Sequence, residues 1–294
     1  MERDLKRRTT HYPVVQFKKD TWEIDEFDIS SIYLLVGSEK AMLIDCGIGL
    51  GDLLGTARML TDKELLVAVT GDQIDHTGNV CQFDEIWMNR ERKEKSIPEE
   101  LALRRKIVSD IALRQQGNIG SGMYGVYPLY AYNPERDLVV PEEPVPMIHP
   151  ITDGMQFDLG GDRIVTAFQC PGHVTGQMMF LDSFSRSLFC GDALNYYLEI
   201  GTAPIEETIA YLEKMQELED LYDGIYNGNH DFRAPGASLG SDCLPNALAL
   251  ARQIRDENCN ILEVPSFKGS ASGDRSHKVL QKYRNFVCYR PFDI

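Results

Sequence analysis

Val69-Thr70-Gly71-Asp72-Gln73-Ile74-Asp75-His76-Thr77-Gly78 is the stretch on which the fold turns. It begins where the apolar run Leu65 to Val69 ends, and that run reads as a strand, so the polar residues gather at a strand's end. Asp75 offers a carboxylate and His76 an imidazole, both good metal ligands. Gln73 offers only a neutral amide oxygen, a poor donor beside imidazole, and Gly71 offers no ligand at all. The ordinary alternative for Asp75 and His76 is a loop whose Asp hydrogen-bonds its own backbone.

Outward from this stretch the chain alternates strands and helices. Ile32 to Val36 and Ala41 to Ile44 are apolar runs separated by Gly37-Ser38-Glu39-Lys40, which suits a hairpin; Ile86 to Met88 is a further strand. A helix is expected over Asp52 to Leu60. From Ser96 the pattern turns helical to about Gln116, with Ser-Ile-Pro-Glu-Glu as its cap. Gly117 to Pro134 is rich in Gly and Tyr, and Pro141 to Pro150 in proline, so residues 90–150 read as an inserted cap or lid in a single domain spanning 1–294. Strand signals resume at Met155 to Leu159, Arg163 to Phe168, Met178 to Leu181 and Ser187 to Cys190. Pro204 to Tyr222 has the apolar spacing of an amphipathic helix, Gly224 to Tyr226 is a short strand, and Leu244 to Asn258 a last helix.

Composition narrows the function. The chain has 294 residues, 43% hydrophobic and 26% charged, which is ordinary for a globular protein. Its formal charge of -15 disfavours a nucleic-acid partner, because phosphate binding needs an excess of Lys and Arg. Seven scattered cysteines without a Cys-x-x-Cys pair suggest neither a disulfide framework nor a zinc knuckle, and a reducing cytoplasm is the expected setting. The charged N-terminus and the lack of any apolar run of about eighteen residues predict neither export nor a membrane partner. The basic cluster Arg90, Arg92, Lys93, Lys95 and Arg104-Arg105-Lys106 reads as a solvated face, with attraction of an anionic substrate as its alternative. His11, His149 and His277 read as surface or packing residues.

The polar clusters at strand ends come in a definite order: Leu43-Ile44-Asp45-Cys46-Gly47, Thr70 to His76, Cys170-Pro171-Gly172-His173-Val174-Thr175-Gly176, Phe189-Cys190-Gly191-Asp192-Ala193-Leu194, and Gly228-Asn229-His230. In this order they resemble the motifs of the metallo-β-lactamase superfamily over roughly Ile32 to His230. Gly71 and Gln73 stand where that family's His-x-His-x-Asp-His loop has histidine. The resemblance implies an αββα sandwich: two mixed sheets covered by helices, with the site at their open edge.

Carried over by position, the resemblance makes Asp75 and His76 second-site metal ligands, Asp75 with a catalytic role as well. His173 is the surviving first-site ligand, Asp192 the bridge, and Asp45 a support of the metal loop. The last ligand is His230, displaced by one residue from the family's Gly-His, with Asn229 in its place. Gln73, Asn229 and Asp72 are weak or substitute donors. The implied function is metal-dependent hydrolysis of a small ester, thioester, lactone or phosphoester. The implied cofactor is one divalent ion, zinc or else manganese or iron, with a second ion weak or absent. The substrate is a small molecule, anionic if the basic cluster draws it in, and a homo-oligomer is compatible with all of this. Two readings compete. A binding or regulatory protein would keep the fold and lose the chemistry. Alternatively, Gly71-Asp72-Gln73-Ile74-Asp75 and Gly228-Asn229-His230-Asp231 resemble two blocks of the calcineurin-like metallophosphoesterases.

Overall fold

A computed structural model describes residues 12–26, 29–49, 51–89, 146–200, 203–229, 233–256, 262–264, 277–282 and 284–289. Seven strands form the first sheet in chain order: β1 (Val14–Lys18), β2 (Thr21–Glu26), β3 (Ser30–Val36), β4 (Lys40–Ile44), β5 (Glu64–Ala68), β6 (Glu85–Met88) and β7 (Met147–Pro150). Pairing is antiparallel from β1 to β4 and parallel from β4 to β7. The second sheet contains β8 (Gln156–Asp158), β9 (Ile164–Gln169), β10 (Met178–Asp182), β11 (Ser187–Gly191) and β13 (Gly224–Asn227), in the order β13-β11-β10-β9-β8. Only β11 and β13 pair parallel there. A small third sheet joins β12 (Tyr197–Ile200), β16 (Asn285–Tyr289), β15 (His277–Lys282) and β14 (Leu262–Val264) in that order.

The period-2 alternation of strand side chains sorts the apolar residues into layers. Leu34 and Leu43 face one side of the first sheet and pack with Leu53 and Ala57 of helix α1 (Leu53–Leu60). Their neighbours Tyr33, Leu35, Met42 and Ile44 face the other side, against Val165, Ala167, Phe180 and Phe189 of the second sheet. Behind the second sheet, Met179, Leu181 and Leu188 pack against α3 (Ile205–Glu217) and α4 (Cys243–Arg255). A four-residue helix, α2 (Ile74–Thr77), lies at the end of the β5 crossover. The result is the expected αββα sandwich.

Asp52 caps α1 by accepting from Gly55 N, so that helix begins where its sequence predicts. The hairpin β1–β2, strand β7 and the third sheet go beyond the sequence reading. Residues 147–150, counted in the insert, are a sheet strand, whereas 90–145, with the expected helix from Ser96, the tyrosines and the basic cluster, lie outside the described residues. One buried pair clamps the two sheets. Arg163, just before β9, donates to Asp182 and also to the Asp20 and Val36 carbonyls and Thr21 Oγ1 of the first sheet.

Candidate metal centre

The centre is built from the ends of β4, β5, β11 and β13. Asp45 follows β4 with φ +68°, a left-handed conformation that Asp adopts more readily than most residues. That turn brings its carboxylate under the β5 end, where it accepts from Thr70 N at 2.7 Å and Thr70 Oγ1 at 2.9 Å and lies 3.0 Å from His76 Nδ1. A carboxylate only accepts, so Nδ1 carries the proton and, in the neutral ring, the Nε2 lone pair points away from Asp45. The ring is fully buried and packs on Gly228, where a Cβ would sit 2.6 Å from His76 Cε1.

On its far side His76 Nε2 has no hydrogen-bond partner among the described residues, although Asp192 Oδ2 is 3.3 Å away and Asp75 Oδ1 is 4.0 Å away. Asp75, His76 and Asp192 each turn one donor atom into a cluster less than 4.8 Å across. Two carboxylates and one orphaned imidazole nitrogen in a buried cluster fit a divalent cation well, because an unpartnered polar atom in the interior is costly. Burial opposes charge on His76, yet Asp45, Asp75 and Asp192 outweigh it and hold its pKa well above the usual histidine value. Burial pushes the Asp75 carboxyl up, as does Asp192, against a partial offset from His76. Asp192 falls below the usual carboxylate range: burial would raise it, but His76, then His173 and Asn195, outweigh that effect.

Asp192 Oδ1 is occupied by two amides, accepting from Asn229 Nδ2 at 2.6 Å and Asn195 Nδ2 at 3.2 Å. His173 Nε2 stands 3.4 Å from Asp192 Oδ2 and 2.9 Å from Gln73 Oε1, while its Nδ1 donates to the Glu199 carbonyl at 2.8 Å. Asp75, His76, His173, Asp192, Gln73, Asn229 and the supporting Asp45 are therefore brought together. Asp72 does not join the three-donor cluster, and His230 lies outside the described residues. His149 stacks on Trp87, a packing role as expected.

Gln177 was not singled out from the sequence. A Cβ on Gly71 would meet Gln177 Oε1 at 3.1 Å and Val174 Cγ2 at 3.4 Å, so those side chains take the space a larger residue at 71 would need. Neither amide atom of Gln177 has a hydrogen-bond partner among the described residues. Nothing in its sequence neighbourhood signals this, because Gly71 is distant in the chain.

The model of the metallo-beta-lactamase superfamily matches residues 25–231, most of the chain and every residue of this centre. The chain belongs to the metallo-beta-lactamase superfamily. Acyl-coenzyme A thioesterase MBLAC2 of Gallus gallus is similar, 26% identical over 214 residues that cover 66% of this chain and 68% of that protein. Its Homo sapiens counterpart is 25% identical over 209 residues with the same coverage. Among solved structures, BJP-1, a subclass B3 metallo-beta-lactamase of Bradyrhizobium japonicum, aligns with a TM-score of 0.51 at 16% identity, covering 86% of this chain and 96% of its own. A metallo-beta-lactamase from Pontibacter korlensis gives 0.52 at 12% identity, covering 82% and 99%. At such identities these structures speak to the fold. They agree with the two-sheet sandwich, and membership of this superfamily sets the metallophosphoesterase reading aside. Members of the metallo-beta-lactamase superfamily generally bind divalent metals, which agrees with the donor cluster. Among the described residues no helix is long and apolar enough to cross a membrane.

Proposed function

We propose that the chain is a metal-dependent hydrolase of small-molecule thioesters, working with one divalent ion. The observation that carries this is the buried convergence of Asp75, His76 Nε2 and Asp192 Oδ2, with Asp45 holding the ring from behind. These three would hold the ion, with His230 as a fourth ligand from its place in the sequence. The carboxylate-rich set suits manganese or iron as well as zinc. When bound, the ion lowers the pKa of a water and polarises the scissile carbonyl.

The remaining work falls to the chain's own groups. Asp75, with its raised pKa, is suited to take the proton of the attacking water. His173 lies close enough to Asp192 and Gln73 to line the side where the leaving group departs. With Gly71 and Gln73 where the family has histidine, the first site keeps only His173 and the shared Asp192, too few to stabilise a poor leaving group. A thiol with a pKa of about 8.5 departs as its anion far more readily than an alcohol, so the reduced site favours thioesters over esters and lactones. The names of the similar thioesterases point the same way. The basic cluster from Arg90 to Lys106 supports an anionic substrate.

The test is hydrolysis of a panel of acyl thioesters by the purified protein, before and after chelation, beside Asp75→Ala and Asp192→Ala. Loss of at least a hundredfold in rate in each case is expected. A rate untouched by chelation or by Asp192→Ala sinks the proposal. The second reading, a binding protein that kept the fold, takes its support from Gly71 and Gln73. It requires that zinc, manganese and iron all leave thermal stability unchanged.

A further inference from the structure

A line of buried side chains runs from the first sheet to the metal centre. Arg233 Nε donates to Asn227 Oδ1 at 2.6 Å, Asn227 Nδ2 donates to Asn195 Oδ1 at 2.6 Å, and Asn195 Nδ2 donates to Asp192 Oδ1 at 3.2 Å. Arg233 is anchored at its other end by a fork onto Glu23 of β2, at 2.9 and 2.7 Å, and by bonds to Ser31 Oγ and Tyr33 Oη of β3.

The direction of this line follows from the donor inventory. An amide's oxygen and nitrogen are interchangeable in shape, so its orientation is decided by its partners. Guanidinium has donors and no acceptor, so Asn227 must turn its oxygen to Arg233 and its N–H to Asn195. Asn195 must then answer with its oxygen and turn its own N–H to Asp192. With Asn229 donating to the same oxygen, Oδ1 is saturated and Oδ2 is left facing His76 and His173.

We infer that Arg233 is a positioning residue for the metal centre: acting through Asn227 and Asn195, it helps keep one oxygen of Asp192 held by N–H donors and the other turned toward the ion. This rests on the metal-site reading above. Nothing in the sequence spacing marks Arg233, since Glu23 and Asp192 are both far from it in the chain.

Asn227→Asp tests the relay with little change in shape. The new carboxylate still accepts from Arg233, but it has no N–H for Asn195, whose amide then turns and sets its oxygen against Asp192. Added negative charge alone strengthens cation binding, whereas a broken relay weakens it, so the two effects have opposite signs. We expect Zn2+ affinity of the protein, measured by chelator competition, to fall at least tenfold, while the buried new carboxylate lowers the urea midpoint of the metal-free protein without abolishing its cooperative unfolding. Asn195→Ala, which removes the last link alone, should lose a similar factor, and Asn227→Asp added to Asn195→Ala should cost nothing further. Zn2+ binding by Asn227→Asp as tight as wild type overturns the inference, and so does unchanged affinity in Asn195→Ala should the first variant fail to fold. Uptake of neither Zn2+ nor Mn2+ by wild type overturns the metal-site reading itself, a result distinct from the other two.

Discussion

Asp45→Asn separates the orientation of His76 from its presence. The substitution is nearly isosteric, and Asn tolerates the left-handed φ of +68° as Asp does, so the turn after β4 should survive. The new amide oxygen can keep the 2.7 Å bond from Thr70 N. Its NH2 group then faces His76 Nδ1, which must accept, so the ring proton moves to Nε2. That is the atom which lies between Asp192 and Asp75. Loss of such an outer partner typically costs 10- to 100-fold in metal affinity, or about 1.4–2.8 kcal/mol.

The metal-free protein supplies a second readout with a definite sign. His76 has a raised pKa, so its charged form stabilises the fold in full below the unfolded value of about 6.5, and this contribution is lost as pH rises through the folded value. Removing the Asp45 charge lowers that folded value. The urea-derived stability difference between wild type and Asp45→Asn should thus be largest near pH 6, on the order of the 1.5–3 kcal/mol of a charge-assisted hydrogen bond, and shrink toward alkaline pH. Zn2+ affinity equal to wild type, or a stability gap that widens with pH, refutes the assignment of Asp45 as the group that sets the His76 proton.

Gly71→His should lose about 1–3 kcal/mol of stability, because its Cβ arrives 3.1 Å from Gln177 Oε1 in a filled space. Gly71→His with Gln177→Ser should recover most of that loss and raise the metal content per chain by elemental analysis; an unchanged content would mean that Gln177 is not what fills the first site. Arg163→Ala leaves Asp182 buried without its partner and should cost about 3–5 kcal/mol in urea unfolding, whereas a loss below about 1 kcal/mol would deny the clamp between the sheets. Metal uptake should strengthen with pH wherever His76 is still protonated in the free protein, since the ion must displace that proton; titrations at several pH values would show it, and a flat profile would contradict it.

The sandwich was legible because its central strands are apolar runs and its polar clusters fall at strand ends in a fixed order. The convergence of Asp45, Asp75, His76, His173 and Asp192 could be read for that reason. Strand β2 could not, since Glu23, Asp25 and Glu26 give it the look of a solvated loop. Those carboxylates are buried, and Arg233 and the backbone of the Ile48 turn bond to two of them from far along the chain. Strand β7 hid in a proline-rich stretch, and Pro150 is tolerated there because β7 is an edge strand. Gln177 and the Asn195–Asn227–Arg233 line were illegible for a third reason: their meaning lies in contacts between residues whose separation in sequence carries no period.

Charge separates a working site from a retired one. Asp45, Asp75 and Asp192 surround a single buried imidazole, with His173 at the margin. Even with His76 protonated, three carboxylates face one firm positive charge, and unpaired charge in the interior costs several kcal/mol. A protein that had ceased to bind cations would gain stability by replacing Asp75, whose charge burial and Asp192 disfavour, with a neutral residue. Losing a neutral imidazole from the first site carries no such electrostatic reward. That positions 71 and 73 lack neutral ligands while both carboxylates remain beside His76 is what a site selected to hold one cation would show. Thermal melts decide it: Asp75→Asn should raise the Tm of the metal-free protein and abolish the rise that added metal gives to wild type. A metal-free Asp75→Asn that melts below wild type, with no metal effect on either, would leave the carboxylates as structural groups.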